Sequence, residues 1–242
     1  MMRQTVSKIS VLLLIFISGS LICIRGQAPP AVTEIDPSVT LSIDLPKRTR
    51  IQFYTGSEKT EESSSRKTKV GAGFSFRMKP VHRGFLDSFD TDKQHVLVLG
   101  TVYEFSRATE GEEVKDEHKW ILDGTFRYEF VKRLLFSDRN RFENRWIDGD
   151  HHFRYRNRPA LERPFKALKR EFTPYIASEA VWDQRYKKWN ILKFSAGVMF
   201  PVYSRFSLDL FYDRQHCTTC VDPNTNIFGL DLGISLRLGK KK

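Results

Sequence analysis

The sequence predicts an all-β fold, an antiparallel transmembrane β-barrel of about 10–12 strands, and three observations predict it. The first is the stretch 191–238, which alternates apolar and polar residues almost throughout. Leu192, Phe194, Ala196, Val198 and Phe200 form one file, Phe206, Leu208, Leu210 and Tyr212 a second, and Phe228, Leu230, Leu232, Ile234, Leu236 and Leu238 a third. A strand sends successive side chains to opposite faces, so each stretch has one oily and one polar face. The second observation is that the polar files carry charges and single glycines, which suits a barrel with lipid outside and a wet or charged lumen. The third is composition. Aromatic residues make up 13% of the 242-residue chain, with 19 Phe. Mean hydropathy is only −0.43, which excludes a multi-span helical protein but suits strands in which every second residue is apolar.

Residues 1–28 read as a cleaved signal peptide. Arg3 and Lys8 precede the apolar run 11–17, and Gly26-Gln27-Ala28 offers small residues to a peptidase. The competing membrane-anchor reading is weakened by Ser18-Gly19-Ser20 within the apolar segment. Residues 29–37, with Pro29, Pro30 and Pro37, read as a linker, and residues 38–242 as the barrel domain. Strands are expected at 39–45 and 50–55 around a Pro46 turn, at 70–78, and at 95–105 after a polar connection at 80–93. They continue at 120–130, 134–147, 151–158, 172–182, 191–200, 206–212 and 228–238. Asp148-Gly149 marks a tight turn between two of them. That is about eleven strands. Bacterial single-chain barrels have even numbers, so the expectation is that one strand is missed or one is spurious. The polar stretches 56–69, 106–117 and 216–225 are expected as loops at one end, and the tight turns 131–133 and 201–204 at the other. Trp120, Trp146 and Trp182 then form an aromatic girdle at the loop end, with Trp189 on the opposite parity.

The formal charge is +11. Removing residues 1–28 takes away Arg3, Lys8 and Arg25 and no acid, leaving +8. The cations alternate with aromatics on strands of an exported chain, so lumen arginines and anionic lipid headgroups account for them better than nucleic acid. Cys217-Thr218-Thr219-Cys220, after His216, is the cysteine pair of the mature chain. In an exported protein the default is a disulfide, and one C-x-x-C with one His lacks a full metal ligand set. No phosphate-binding Gly loop, zinc protease motif or dinucleotide fingerprint occurs. No cofactor and no metal site is expected.

The densest charged constellation is Arg139, Arg141, Glu143 and Arg145 on one strand face, then Arg154 and Arg156 on the same parity of the next strand, then Glu179. Arg–carboxylate pairs across strands are charge-assisted and often bidentate. These residues are expected to form a lumen charge network, either a plug or an anion-selective lining. Asp138 and Asn140 fall on the apolar parity and break the pattern.

The stretches Arg139-Asn-Arg-Phe-Glu-Asn-Arg145, Phe153-Arg-Tyr-Arg156, Tyr175-Ile-Ala-Ser-Glu179, Gly197-Val-Met-Phe-Pro-Val-Tyr203 and Leu208-Asp-Leu-Phe-Tyr-Asp-Arg-Gln215 resemble the bacterial family called domain of unknown function 2490. The resemblance covers residues 39–238. It implies an outer-membrane barrel with no established activity and no catalytic residues.

The functional expectation is therefore a barrel in the outer membrane of a Gram-negative-type bacterium, a structural or small-solute pore protein and not an enzyme. Its implied partners are outer-membrane lipid and lipopolysaccharide, and the periplasmic chaperones and insertion machinery that assemble barrels. Two other readings stay open. A lipid-acting barrel enzyme would need a Ser–His pair with an orienting partner. A soluble periplasmic β-protein would bury its oily face and bind a hydrophobic ligand.

Overall fold

A computed structural model of the chain describes residues 31–60, 65–78, 96–131, 134–167, 170–203 and 205–238. The expected signal peptide (1–28), the first residues of the linker and the connection at 80–93 lie outside the described residues.

Among the described residues twelve strands follow one another: β1 (Val32–Leu45), β2 (Thr49–Thr60), β3 (Arg66–Met78), β4 (Leu97–Glu110), β5 (Glu113–Val131), β6 (Leu134–Ile147), β7 (Asp150–Glu162), β8 (Phe165–Ala167), β9 (Arg170–Asp183), β10 (Lys188–Tyr203), β11 (Phe206–Cys217) and β12 (Asn224–Arg237). Each long strand pairs antiparallel with the next, β7 pairs with β9, and β12 pairs with β1, so eleven strands close on themselves. The three-residue β8 adds only a short ladder to β9. The fold is all-β and closed, but mixed. Going up and down eleven times leaves the first and last strands pointing the same way. Their ladder, from Val32↔Thr225 to Asp44↔Arg237, is parallel. The even-number expectation fails: among the described residues eleven strands close the barrel, and β8 is a short twelfth that the sequence did not predict.

The strands are taller than the sequence suggests. β1 begins at Val32, six residues inside the expected linker. Pro37 sits within it because the β1–β2 ladder is interrupted there, between Ile35↔Lys59 and Ser38↔Gly56, so its missing N–H leaves no gap in a continuous ladder. Pro159 does the same in β7, where paired rows with β9 skip from Asn157↔Ala180 to Ala160↔Ala177. The polar stretches 56–69 and 106–117 are also largely strand. Their charges meet across the hairpin instead of dissolving into a loop. Arg107 donates to both carboxylate oxygens of Asp116, at 2.7 and 2.8 Å. That hydrogen bond holds the Asp116 carboxyl below its usual value. The β6–β7 turn carries Asp148 at φ 50° and Gly149 at φ 95°, the left-handed pair that a two-residue hairpin needs.

The two faces are the reverse of a soluble barrel. Outward side chains are large and apolar, among them Phe53, Phe74, Leu122, Phe126, Ile176 and Phe194, all exposed. Most buried inward positions are polar, among them Arg50, Glu104, Lys119, Glu143, Arg145 and Asp213. Trp120 and Trp146 point outward near one end. Trp189 joins them, contrary to the parity expected of it. A register shift between Trp189 and Ile191 sets it directly beside Trp182 and turns it to the outside. Its ring meets Tyr155 edge-on at 5.9 Å.

Several inward glycines make room for inward aromatics on the neighbouring strand. A Cβ on Gly229 would lie 1.9 Å from the Phe211 ring, and one on Gly71 would lie 2.4 Å from Tyr54. Neither ring can move outward without leaving its strand face. Gly229→Ala is therefore expected to cost about 1–3 kcal/mol, as overpacking does. The check is the shift in urea midpoint of the detergent-folded protein. Adding Phe211→Leu to the same chain should recover most of it.

Candidate functional site

β6 and β7 bring like charges face to face. Arg139 lies opposite Arg158, and Arg141 opposite Arg156. Directly opposed like charges are destabilising, so carboxylates must come from elsewhere. Asp123 on β5 takes Arg139 at 2.6 Å and Arg141 at 3.0 Å. Glu143, with its side chain 1% exposed, takes Arg154 at 2.6 Å and Arg156 at 3.3 Å. Glu179 on β9 takes the other side of Arg156 at 2.6 Å. Arg145 pairs with Glu117 on β5 and reaches Asp183 on β9 at 3.5 Å. The seven residues singled out in the sequence thus share the barrel interior, in three ion-paired groups.

Those partners were not singled out. Asp123, Glu117 and Asp183 lie on the polar files of β5 and β9, and only the register shows which arginine each reaches. The layer continues around the wall. Lys119 pairs with Glu104 and, at 3.4 Å, with Glu117. Lys67 on β3 spans to Glu117 at 3.5 Å. The Tyr54 hydroxyl on β2 donates to Glu104 at 2.5 Å. A legible signal for Tyr54 was an aromatic on a polar file facing a glycine on the next.

On the side away from the tryptophans the lumen opens into two cavities, of about 320 and 620 Å³. Gln52, Met199 and Asp209 line both. The larger reaches the rim at Tyr203, Arg205 and Arg237, all exposed.

The outward polar residues pair with one another. Asn157 donates to Asp138 at 2.7 Å, Asn140 donates to Asp138 at 3.2 Å, and the Tyr155 hydroxyl donates to Asn140. His118 hydrogen-bonds Tyr103 and His216 hydrogen-bonds Asn224. Cys217 and Cys220 are joined by a disulfide. Its cross-link spans four residues of the β11–β12 loop, so it constrains little beyond that loop. Among the described residues no group of three or more His, Cys, Asp or Glu could hold a metal ion. Among them, too, no helix is long and apolar enough to cross a membrane.

No curated protein matches the chain. The family model for a protein of unknown function (DUF2490) matches residues 87–222, which run from before β4 into the loop after β11 and include every arginine of the charged layer. That match takes in more than half of the 242 residues, and the chain belongs to the DUF2490 family.

Proposed function

We propose that the protein is an outer-membrane barrel of a Gram-negative-type bacterium whose lumen is closed toward its tryptophan end by ion pairs. In this reading it is a structural, solute-holding barrel and neither an open pore nor an enzyme. The observation that carries it is the inverted burial: Glu143 and Arg145 are inaccessible inside while Phe194 and Leu122 are exposed outside. An apolar surface of that extent needs a partner, and a hydrocarbon layer meets it on all sides. From Trp120 to Tyr128 the outward file of β5 rises about 20 Å at ordinary strand rise and tilt, close to the apolar band of such barrels. The membrane partners follow from the same reading: lipid and lipopolysaccharide around the belt, and chaperones and insertion machinery during assembly. Plugging is supported by the exposures of Glu143 (1%), Arg145 (6%) and Glu117 (6%), since a water-filled channel would wet them.

Cell fractionation with a heat-modifiable gel shift tests the location. The protein is expected in the outer-membrane fraction, migrating faster unheated than boiled. Recovery from the periplasm without detergent would overturn the membrane reading. In planar bilayers the folded protein is expected to show no stepwise conductance, and steady open channels would overturn the plug.

A further inference from the structure

We infer that the smaller cavity is a binding site for a small oxyanion, of phosphate or carboxylate type, held by Arg127 and Arg158. The inference concerns the barrel interior and stands whether or not the apolar belt meets lipid.

The arginines of the layer above are matched to carboxylates, and these two are not. Arg127 buries its Nε and one terminal nitrogen with no hydrogen-bond partner among the described residues. Arg158 lies over the Tyr175 ring, 5.9 Å from its centre, and makes no ion pair among the described residues. Both line the same cavity. The acids that also line it are already engaged. Asp123 is shared by Arg139 and Arg141, Asp209 accepts from the Tyr175 hydroxyl at 3.1 Å, and Glu162 has its own partner.

The register explains why there is space beside Arg127. Arg127 faces Ser137 across the β5–β6 ladder, and Ser137 faces Ala160 across the next. These small residues leave a gap where a third long side chain would otherwise reach. Thr125, one row up, lies opposite Arg139 and donates its hydroxyl to Asp123 at 3.4 Å, and both Thr125 and Ser137 line the cavity. Two guanidinium forks, with two nitrogens of Arg127 buried, border a cavity that Thr125 and Ser137 also line, and such forks match the planar, multi-oxygen surface of a phosphate or carboxylate. A buried cation without a counter-charge is costly; an anion entering from the larger cavity would remove that cost. The wider space toward Arg205 and Arg237 leaves room for the rest of an organic anion.

The test uses the detergent-folded full chain, with inorganic phosphate, pyrophosphate and citrate as probes and glucose as the neutral control. Titration calorimetry is expected to show saturable one-site binding of at least one anion and none of glucose. Arg127→Gln and Arg158→Gln should each weaken it at least tenfold. Arg107→Gln, in the outer hairpin, should leave it unchanged. A second readout guards against misfolding. Without anion, Arg127→Gln should unfold at the same urea concentration as the parent or higher, because an unmatched buried charge is gone. With anion, only the parent should gain resistance. No saturable binding, or binding indifferent to both substitutions, would overturn the site. So would a marked loss of resistance in Arg127→Gln without anion, since that would give the guanidinium a structural partner.

Discussion

Glu143→Ala is expected to destabilise the barrel by about 3–5 kcal/mol, the cost of stranding buried charge. Glu143 is the shared acceptor of Arg154 and Arg156 and is itself inaccessible. Arg156 would keep Glu179, but Arg154 would lose its ion-pair partner. The measurement is urea unfolding in detergent micelles, followed by loss of the fast-migrating gel band. Asp116→Ala, which also removes an Arg partner but in the solvated outer hairpin, should be nearly silent. A wet lumen would screen the Glu143 loss, and the cost would then fall to about 1 kcal/mol or less. That outcome would remove the argument for a plug.

The second large effect is expected at Leu210→Arg. Leu210 points outward from the middle of β11, between Val198 on β10 and Leu230 on β12. On the proposed membrane reading it faces hydrocarbon, where an arginine near the midplane of a barrel costs about 2–4 kcal/mol. Val221→Arg, on a loop residue that is 99% exposed, is the matched control and should cost nothing measurable. Refolding into vesicles at graded urea reads both. If Leu210→Arg folded as well as Val221→Arg, the outer face would be meeting water and the membrane reading would fall. A soluble barrel would tolerate or even welcome that charge.

The barrel was legible in the sequence because one physical rule governs the whole wall. Period-two alternation fixed which side of β5, β6, β10, β11 and β12 is oily, and it turned Phe194, Leu210 and Ile234 outward together. What alternation cannot carry is the relation between strands. Trp189 was placed on the wrong face because a bulge at Asn190 adds one residue to β10 and none to β9. Pro37 read as linker, since a proline signals an interrupted ladder as readily as no strand at all. The charged hairpin ends read as loop, because polar composition does not reveal a cross-strand partner such as Asp116 for Arg107. For the same reason the arginines of the lumen were legible and most of their acids were not. Rows of Arg139, Arg141 and Arg145 stand out within one strand, whereas Asp123, Glu117 and Asp183 matter only through pairings between strands. The parallel seam had no local signature, and it follows only from an odd count taken seriously.

That seam has a kinetic consequence. Most neighbouring pairs of long strands are joined through a short segment of chain, so they can zip up from a local start. β1 and β12 cannot. Val32 meets Thr225 and Asp44 meets Arg237, in each case 193 residues apart, and with the strands running the same way no hairpin can seed the contact. Loop-closure entropy must be met before any bond of that ladder forms. Assembly should therefore have two phases, a fast one that builds a curled open sheet and a slow one that shuts it. During the interval the edges of β1 and β12 carry unpaired backbone groups, a template for any other extended chain. The slow step is thus concentrated on thirteen residue pairs, and substitutions there should alter how fast the barrel forms more than how firmly it stands once shut.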